Sequence, residues 1–419
     1  MSRTRVLLVV AVLAVPRSAA PQGGTPLGPE FRVNTFTPSD QRAPDVAFDP
    51  AGSGFMVVWQ SYGQDGWHRG IFGQRYAPSG APLGPEFRVN TYTTFSQSYP
   101  SIAASSGTFV VVWMSYSQDG SSDGVFGQRY DSSGAALGSE FRINTYTTSS
   151  QGFASVAADG SGNFVVVWES ITQDGSSSGI FGQRFASTGT PVGPEFRVNT
   201  FTTDAQFQRS LGSDGSGNFV VAWMSIGQDG SSAGVFGQRY AASGVPLGPE
   251  FRVNTYTTGI QSDPALAGSF LSGPGIFFAG EGQDGLSDDV FGQRYDASGV
   301  PFGPEFRVNT HTTDGQFDPS TAMDSSGNFV VVWTSALQDG SDHGVFGQRY
   351  AASGAPLGPE FRVNTFTTSY QFGASAAADP PGSFVVVWQS LGQDGSGMGI
   401  FGQRYSQIVP VELMHFRVE

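Results

Sequence analysis

The chain contains no cysteine and no lysine, and its hydrophobic runs are short. Without cysteine, no disulfide and no thiolate metal site can form. All 21 basic residues are arginine, against 35 acids, for a net charge of −14. That balance lacks the basic stripe that nucleic-acid binding requires. Histidine is scarce, with four residues at His68, His311, His343 and His415. There is no His-Glu-x-x-His motif and no nucleophile elbow. No segment beyond the N-terminus is apolar for long enough to span a bilayer. Sustained helical periodicity is also missing.

What is present is repetition. Glu-Phe-Arg-Val/Ile-Asn-Thr recurs with its phenylalanine at Phe31, Phe87, Phe141, Phe196, Phe251, Phe306 and Phe361, at spacings of 54–56 residues. So regular a period denotes one supersecondary unit copied many times. The 58 glycines and 25 prolines fall at fixed places between apolar runs, so they mark turns.

Within one copy, four short runs alternate with Gly- and Ser-rich turns. In the third copy they are Ala154 to Ala158, Phe164 to Trp168, Ile180 to Phe185 and Glu195 to Asn199. We denote them a, b, c and d. This is the pattern of consecutive hairpins. Four strands repeated seven times predict an all-β fold, a seven-bladed β-propeller with four antiparallel strands per blade. A β-helix would need unusually large rungs. Small residues in strand a suit the crowded axis. Strand b is apolar on both faces, as a strand between neighbouring blades should be. Proline precedes the glutamate of strand d in six copies, so d is the outer edge. The chain begins with a lone d strand near Gly28 to Thr35 and ends with a lone a-b-c set. The first strand is therefore expected to complete the last blade and close the ring.

Residues 1–20 have the pattern of a secretory signal: Arg3 and Arg5, an apolar run from Val6 to Val15, and Ser18-Ala19-Ala20 at a cleavage point. The expected organisation is a signal at 1–20, a linker at 21–25, the propeller at 26–405 and a tail at 406–419. A secreted or cell-surface location follows, with no membrane span after signal removal.

Antiparallel blades place the b–c loops and the d–a crossings on one face. Gln-Asp-Gly opens every b–c loop, with acids at Asp65, Asp119, Asp174, Asp229, Asp284, Asp339 and Asp394. Two readings are open. Each aspartate accepts hydrogen bonds within its own turn, or it contributes to a Ca²⁺ site with loop oxygens. Each crossing carries an asparagine followed seven positions later by glutamine. Phe-Gly-Gln-Arg also occurs seven times. Its arginine is expected to pair with an acid such as the repeated glutamate, or to bind backbone carbonyls.

Where the copies differ is more informative for binding. The residue before the last glycine of the b–c loop is Arg69, Asp123, Ser178, Ala233, Asp288, His343 or Met398. In the fifth blade the glycine itself is Asp289, and the first blade carries Trp67-His68. A variable ring on a constant scaffold is what a binding surface would present. Trp67, His68, Arg69, Asp123, Asp288, Asp289 and His343 are the candidate ligand-binding residues. An exposed tryptophan beside His68 and Arg69 suits stacking on a sugar. The fifth blade is the least regular, with Phe278 where the others have tryptophan.

The combined phrase Phe-Val-Val-Val-Trp, Gln-Asp-Gly-Ser, Gly-Ile-Phe-Gly-Gln-Arg-Tyr and Glu-Phe-Arg-Val-Asn-Thr resembles repeats of secreted bacterial proteins of unassigned function. The resemblance covers Gly28 to Tyr405. More loosely, Asp214-Gly-Ser-Gly-Asn-Phe219 is similar to turns of integrin-α-like and Asp-box propellers. It lacks the acidic calcium loop of the first and the Ser-x-Asp-x-Gly-x-x-Trp spacing of the second. The tail from Val409 to Glu419 looks like the start of a C-terminal module of exported bacterial proteins. The leading expectation is a monomeric extracellular binding or adhesion module for a glycan, cell-surface component or protein, with no required cofactor and Ca²⁺ as an option. Two alternatives stand beside it: a polysaccharide hydrolase or lyase, for which paired acids would be needed, and a structural surface protein.

Overall fold

The computed structural model describes residues 24–66, 68–267, 275–283 and 287–408. The signal segment, Trp67, Asp284 and the tail beyond residue 408 lie outside the described residues.

Seven four-stranded antiparallel sheets form the molecule, each in the order a-b-c-d. Blades 1 to 6 begin at Gln41, Gln97, Gln151, Gln206, Gln261 and Gln316. Blade 7 takes strands a to c from Gln371–Ala378, Phe384–Leu391 and Met398–Tyr405, and its outer strand from Phe31–Arg32 near the other end of the chain. The expected ring closure is therefore present, with Phe31 opposite Gly402 and Arg32 opposite Phe401. Hydrogen bonds from Gly24 to Gln407, from Ser406 to Thr25 and from Ile408 to Gly382 extend it.

The core lies between blades. Strand b is buried on both faces: Phe164 to Trp168 of blade 3 packs Val166 and Trp168 against blade 2, while Val165 and Val167 face blade 4. This explains its unbroken apolar run. Blade 5 keeps the arrangement, with Phe278 fully buried in the tryptophan position. Outer strand d is pared to Phe-Arg in six blades and runs Pro191–Arg197 in blade 3.

Two rings of contacts tie blade to blade. On the face of the c–d turns, the repeated arginine reaches the next blade's turn. Arg75 donates to the carbonyl of Ser132, Arg184 to Ala242, Arg349 to Ile408 and Arg404 to Pro78, at 2.5–2.8 Å. Backbone carbonyls, not the repeated glutamate, are thus the partners. The glutamate works on the opposite face. Glu86, Glu140, Glu195, Glu250, Glu305, Glu360 and Glu30 each accept the backbone N–H of the preceding blade's crossing threonine at 2.6–2.7 Å. The glutamine of Gln-Asp-Gly holds the other carboxylate oxygen, as Gln283 does on Glu305 at 2.7 Å. Charge-assisted bonds of this kind are among the stronger ones.

Strand a is longer than the sequence suggested. It starts at the glutamine that had been placed in the crossing, three residues before the small-residue run. The strands a of all seven blades line an axial cavity of about 670 Å³ at the a–b-turn end, with Phe48, Ala103, Leu211, Leu266, Met323 and Ala378 among its walls.

Candidate functional site

The extra residues of strand a carry a bulge. In each blade the register slips between the second and fifth residues of the strand. The third residue takes a left-handed conformation: Ala43, Tyr99, Phe153, Gln208, Asp263 and Asp318 at φ 48–52°, and Gly373 at 61°. Such a backbone costs a non-glycine residue roughly 1–3 kcal/mol. Only one of seven is glycine, although glycine is abundant elsewhere. The bulge also turns the backbone N–H toward the preceding blade. Tyr99 donates to Gln60 Oε1 at 3.0 Å and Ala43 to Gln389 Oε1 at 3.1 Å.

These residues form a ring around the axis on the crossing face, and two pairs of consecutive members touch. The Tyr99 and Phe153 rings lie 4.7 Å apart, and both side chains are about two-fifths exposed (42% and 40%). Gln208 Nε2 donates to Asp263 Oδ1 at 2.6 Å. Asp318 follows, its carboxyl pushed up to about 6 by burial and by the charge of Asp263. Burial likewise raises Asp263. Asp288 is raised by burial and then by Glu281 and Asp263, so it belongs to the same acidic side. One arc of the mouth is aromatic, the opposite arc acidic, and Gly373 and Ala43 leave the gap between them small-sided. A second aromatic pair stands on the same face between blades 1 and 2. Phe95 meets Tyr116 edge-on at 5.5 Å, both 45% exposed.

The expected binding residues are distributed differently from a single exposed ring. His68 and Arg69 are exposed, with the His68 ring 6.4 Å from Phe95. They thus adjoin the second aromatic pair. Asp123 is half-buried and accepts from Ser150 Oγ at 3.0 Å. Burial raises its carboxyl, and Asp119 adds to the shift. His343 is boxed by Phe317, Tyr370 and Phe372 at 5.0–6.5 Å, and burial lowers its imidazole. Ser178, Ala233 and Met398 at the matching position are buried. Strand c there slides under the next blade's crossing, as the Ala233–Ile260 bridge shows.

Asp289 is a correction. It is 2% exposed, not part of a surface. In the other blades the matching glycine lies against the Gln-Asp-Gly carboxylate: a Cβ on Gly124, Gly234 or Gly344 would sit 2.6 Å from Oδ2 of Asp119, Asp229 or Asp339. In blade 5 Asp289 fills that space with its own carboxylate, which takes Asn309 Nδ2 at 2.5 Å and lies 3.6 Å from Arg307.

The aspartate ring sits in turn chemistry. Oδ1 of Asp119, Asp174, Asp229, Asp339 and Asp394 accepts the amide two residues on at 3.1–3.2 Å. Oδ2 of Asp119, Asp174, Asp229 and Asp339 faces the crossing asparagine at 3.2–3.4 Å. Burial raises Asp65, with the Asn90 hydrogen bond acting against it. Among the described residues, no three acids or histidines come together as a metal cluster. Each loop leaves its glutamine Oε1 buried and unpartnered, as in Gln118 and Gln338, and the first and last loops add Oδ2 of Asp65 and Asp394. One carboxylate and one amide oxygen are fewer than the six to eight oxygens Ca²⁺ takes, so such a site would need backbone, hydroxyl or water oxygens as well, and an ordered water suits the glutamine oxygen.

Sequence reasoning missed the bulge ring. The signal was available: the second residue after the crossing glutamine varies through six residue types over seven copies. Only its left-handed backbone shows that the variation encircles the axis.

No family model matches the chain, and no curated protein matches it in sequence. The repeat resemblance and the integrin-α-like or Asp-box likeness thus gain no support beyond the fold. Solved structures do match. A protein of unknown function from Dyadobacter fermentans aligns with TM-score 0.53 at 8% identity, over 90% of this chain and 98% of that one. An ulvan lyase of polysaccharide lyase family 25 gives 0.53 at 11% identity, over 90% and 96%. The β-propeller domain of the Trilobed protease from Pyrococcus furiosus, which has an open velcro topology, gives 0.51 at 11% identity, over 90% and 100%. An α-L-arabinanase of Penicillium chrysogenum complexed with arabinobiose gives 0.51 at 13% identity, over 76% and 95%. At these identities the likeness establishes the propeller fold alone.

Proposed function

We propose that this chain is an exported glycan-binding propeller that holds a saccharide on its crossing face, at the mouth of the axis. The observation that carries this reading is the bulge ring. Strained backbone places a different side chain at the same point of nearly every blade, two residues after a glutamine that repeats in all seven. Strain kept at one ring of positions is a mark of function. The aromatic arc offers Tyr99 and Phe153 as faces for a sugar ring. Gln208, Asp263 and Asp318 offer acceptors for its hydroxyls. Pockets with apolar walls and a few convergent polar groups are the usual form of small-ligand sites. The secreted or cell-surface location rests on the N-terminal residues and is part of the proposal.

The test is a glycan array followed by calorimetry on the best hit. Tyr99→Ala and Phe153→Ala should each weaken that hit about tenfold or more, as loss of a central aromatic anchor does. Full binding by the double variant would sink the assignment.

One observation favours a second reading, a hydrolase or lyase acting on polysaccharide. A carboxyl held near 6 beside a second acid is suited to general acid–base work. Release of new chain ends from a polysaccharide, lost in Asp318→Asn, would establish it. Binding without any turnover would leave the binding module.

A further inference from the structure

Behind the aromatic arc lies a residue that the repeat does not explain. The fourth position of strand a is Pro44, Pro100, Ala154, Pro264, Pro319 or Ala374 in six blades, and Arg209 in blade 4. We infer that Arg209 is an oxyanion-recognition residue, and that the glycan bound at this mouth carries a uronic-acid carboxylate. The inference rests on the proposed glycan site and names the class of its ligand.

The Arg209 side chain is 9% exposed, and its Nε–H is buried with no hydrogen-bond partner. Its ion-pair contact among the described residues is Glu169, with Nη1 3.9 Å from Oε2, beyond hydrogen-bond reach. A guanidinium has five donors, and burying them unpaired is costly. Glu169 is itself mostly buried, which raises its carboxyl, with the charge of Arg209 acting against the rise. A structural ion pair would have closed this gap. Instead the guanidinium carbon lies 5.7 Å from the centroid of the Phe153 ring, the ring that faces Tyr99. A sugar stacked on this pair would have a ring substituent within the reach of the fork. The planar fork matches a carboxylate in two parallel hydrogen bonds. Gln208, whose amide is bonded to Asp263, stands between Arg209 and the acidic arc. The mouth is therefore polarised, with its cation beside the aromatic platform.

The test compares three probes by calorimetry: a short oligogalacturonate, the same oligomer as its methyl ester, and an oligosaccharide without uronic acid whose only anions are sulfate esters. Two variants accompany the wild type. Arg209→Gln removes the fork. Arg209→Gln with Glu169→Gln removes it without leaving a lone buried carboxylate. The wild type should bind the acid at least about tenfold more tightly than the ester, and both variants should lose that preference. Equal binding of acid and ester by the wild type overturns the inference, as does a preference that survives in the double variant. Preference for the sulfated probe alone overturns the carboxylate assignment. If no oligosaccharide binds, thermal unfolding with galacturonate monomer separates the two claims. A stabilisation lost in both variants keeps the anion site and removes the glycan platform. No stabilisation removes both.

Discussion

The inner strand of each blade is constrained very differently from the blade's periphery. At the periphery the same arginine and the same glutamate recur in every copy, because the arginine must reach a fixed atom of the next blade and the glutamate one of the preceding blade. At the third residue of strand a, seven positions hold six residue types. There the side chain has no partner that recurs from blade to blade: Tyr99 meets the Phe153 ring, whereas Gln208 bonds Asp263. What the bulge requires is supplied through its backbone N–H, as at Tyr99. Repetition thus marks where blades hold one another, and variation marks where the ring is free to contact something else. The same rule explains why the aspartates of Gln-Asp-Gly, the most conspicuous acids in the sequence, do not build the site. They repeat because they hold turns.

The sharpest test of the peripheral half removes its closure. Deleting residues 24–35 takes away the outer strand of blade 7, the Glu30 latch on Thr365 and the Asn34 bond to Ile400. Bonds such as Leu27–Arg404, Val33–Ile400, Gln393–Glu30 and Gln403–Gly28 go with them, so stability should fall by roughly 5 kcal/mol or more. The melting temperature should drop by about 5 °C or more. A truncated protein that melts with the wild type would show that the latches are redundant. Next in size is Gly124→Ala. Its Cβ would meet Asp119 Oδ2 at 2.6 Å. Overpacking of this kind costs about 1–3 kcal/mol. Adding Asp119→Ala should recover part of the loss, which urea titration of the two variants would detect.

Fold legibility followed the same division. The seven blades, the strand order and the closing strand were readable because each rests on a pattern repeated in sequence. The left-handed bulge was not. Tyr99, Phe153 and Asp318 carry no local sign of positive φ; at Tyr99 it goes with a tertiary hydrogen bond to Gln60 of the preceding blade. Asp289 misled for a related reason. A break in the repeat can be an internal substitution, here one carboxylate filling the space beside a glycine, as readily as a new surface. Arg209 stood in plain view, but its meaning needed the unpaired Nε–H and the distance to Phe153.

The variable ring makes its own prediction. Asp318 has its folded-state carboxyl raised from the ordinary value of 3.8 to about 6. A folded pKa above the unfolded one means the native state holds the proton more tightly. Stability from this group is therefore full below about pH 4 and is lost as pH rises through about 6. The swing is roughly 3 kcal/mol. Asp318→Asn should be the more stable protein at pH 7 and should gain little at pH 4. Thermal unfolding at the two pH values measures it. Equal effects at both would place Asp318 in a solvated environment and weaken the case for an acid–base role.

The smallest effect is expected where the repeat looks most essential. Six blades bury a tryptophan on strand b, among them Trp59, Trp223 and Trp388, yet the indole Nε1–H of each finds no hydrogen-bond partner. Blade 5 places Phe278 at the same point, fully buried, and keeps its four strands. Tryptophan is thus retained for the volume it fills between blades. In Trp223→Phe the lost packing is opposed by relief of an unpaired buried donor, a term of about 1–3 kcal/mol. The two should nearly cancel, leaving stability within about 1 kcal/mol of the wild type by urea titration. A larger loss would mean that the indole N–H holds a buried water. The tryptophan would then belong with the latches, as a polar contact that every blade must keep.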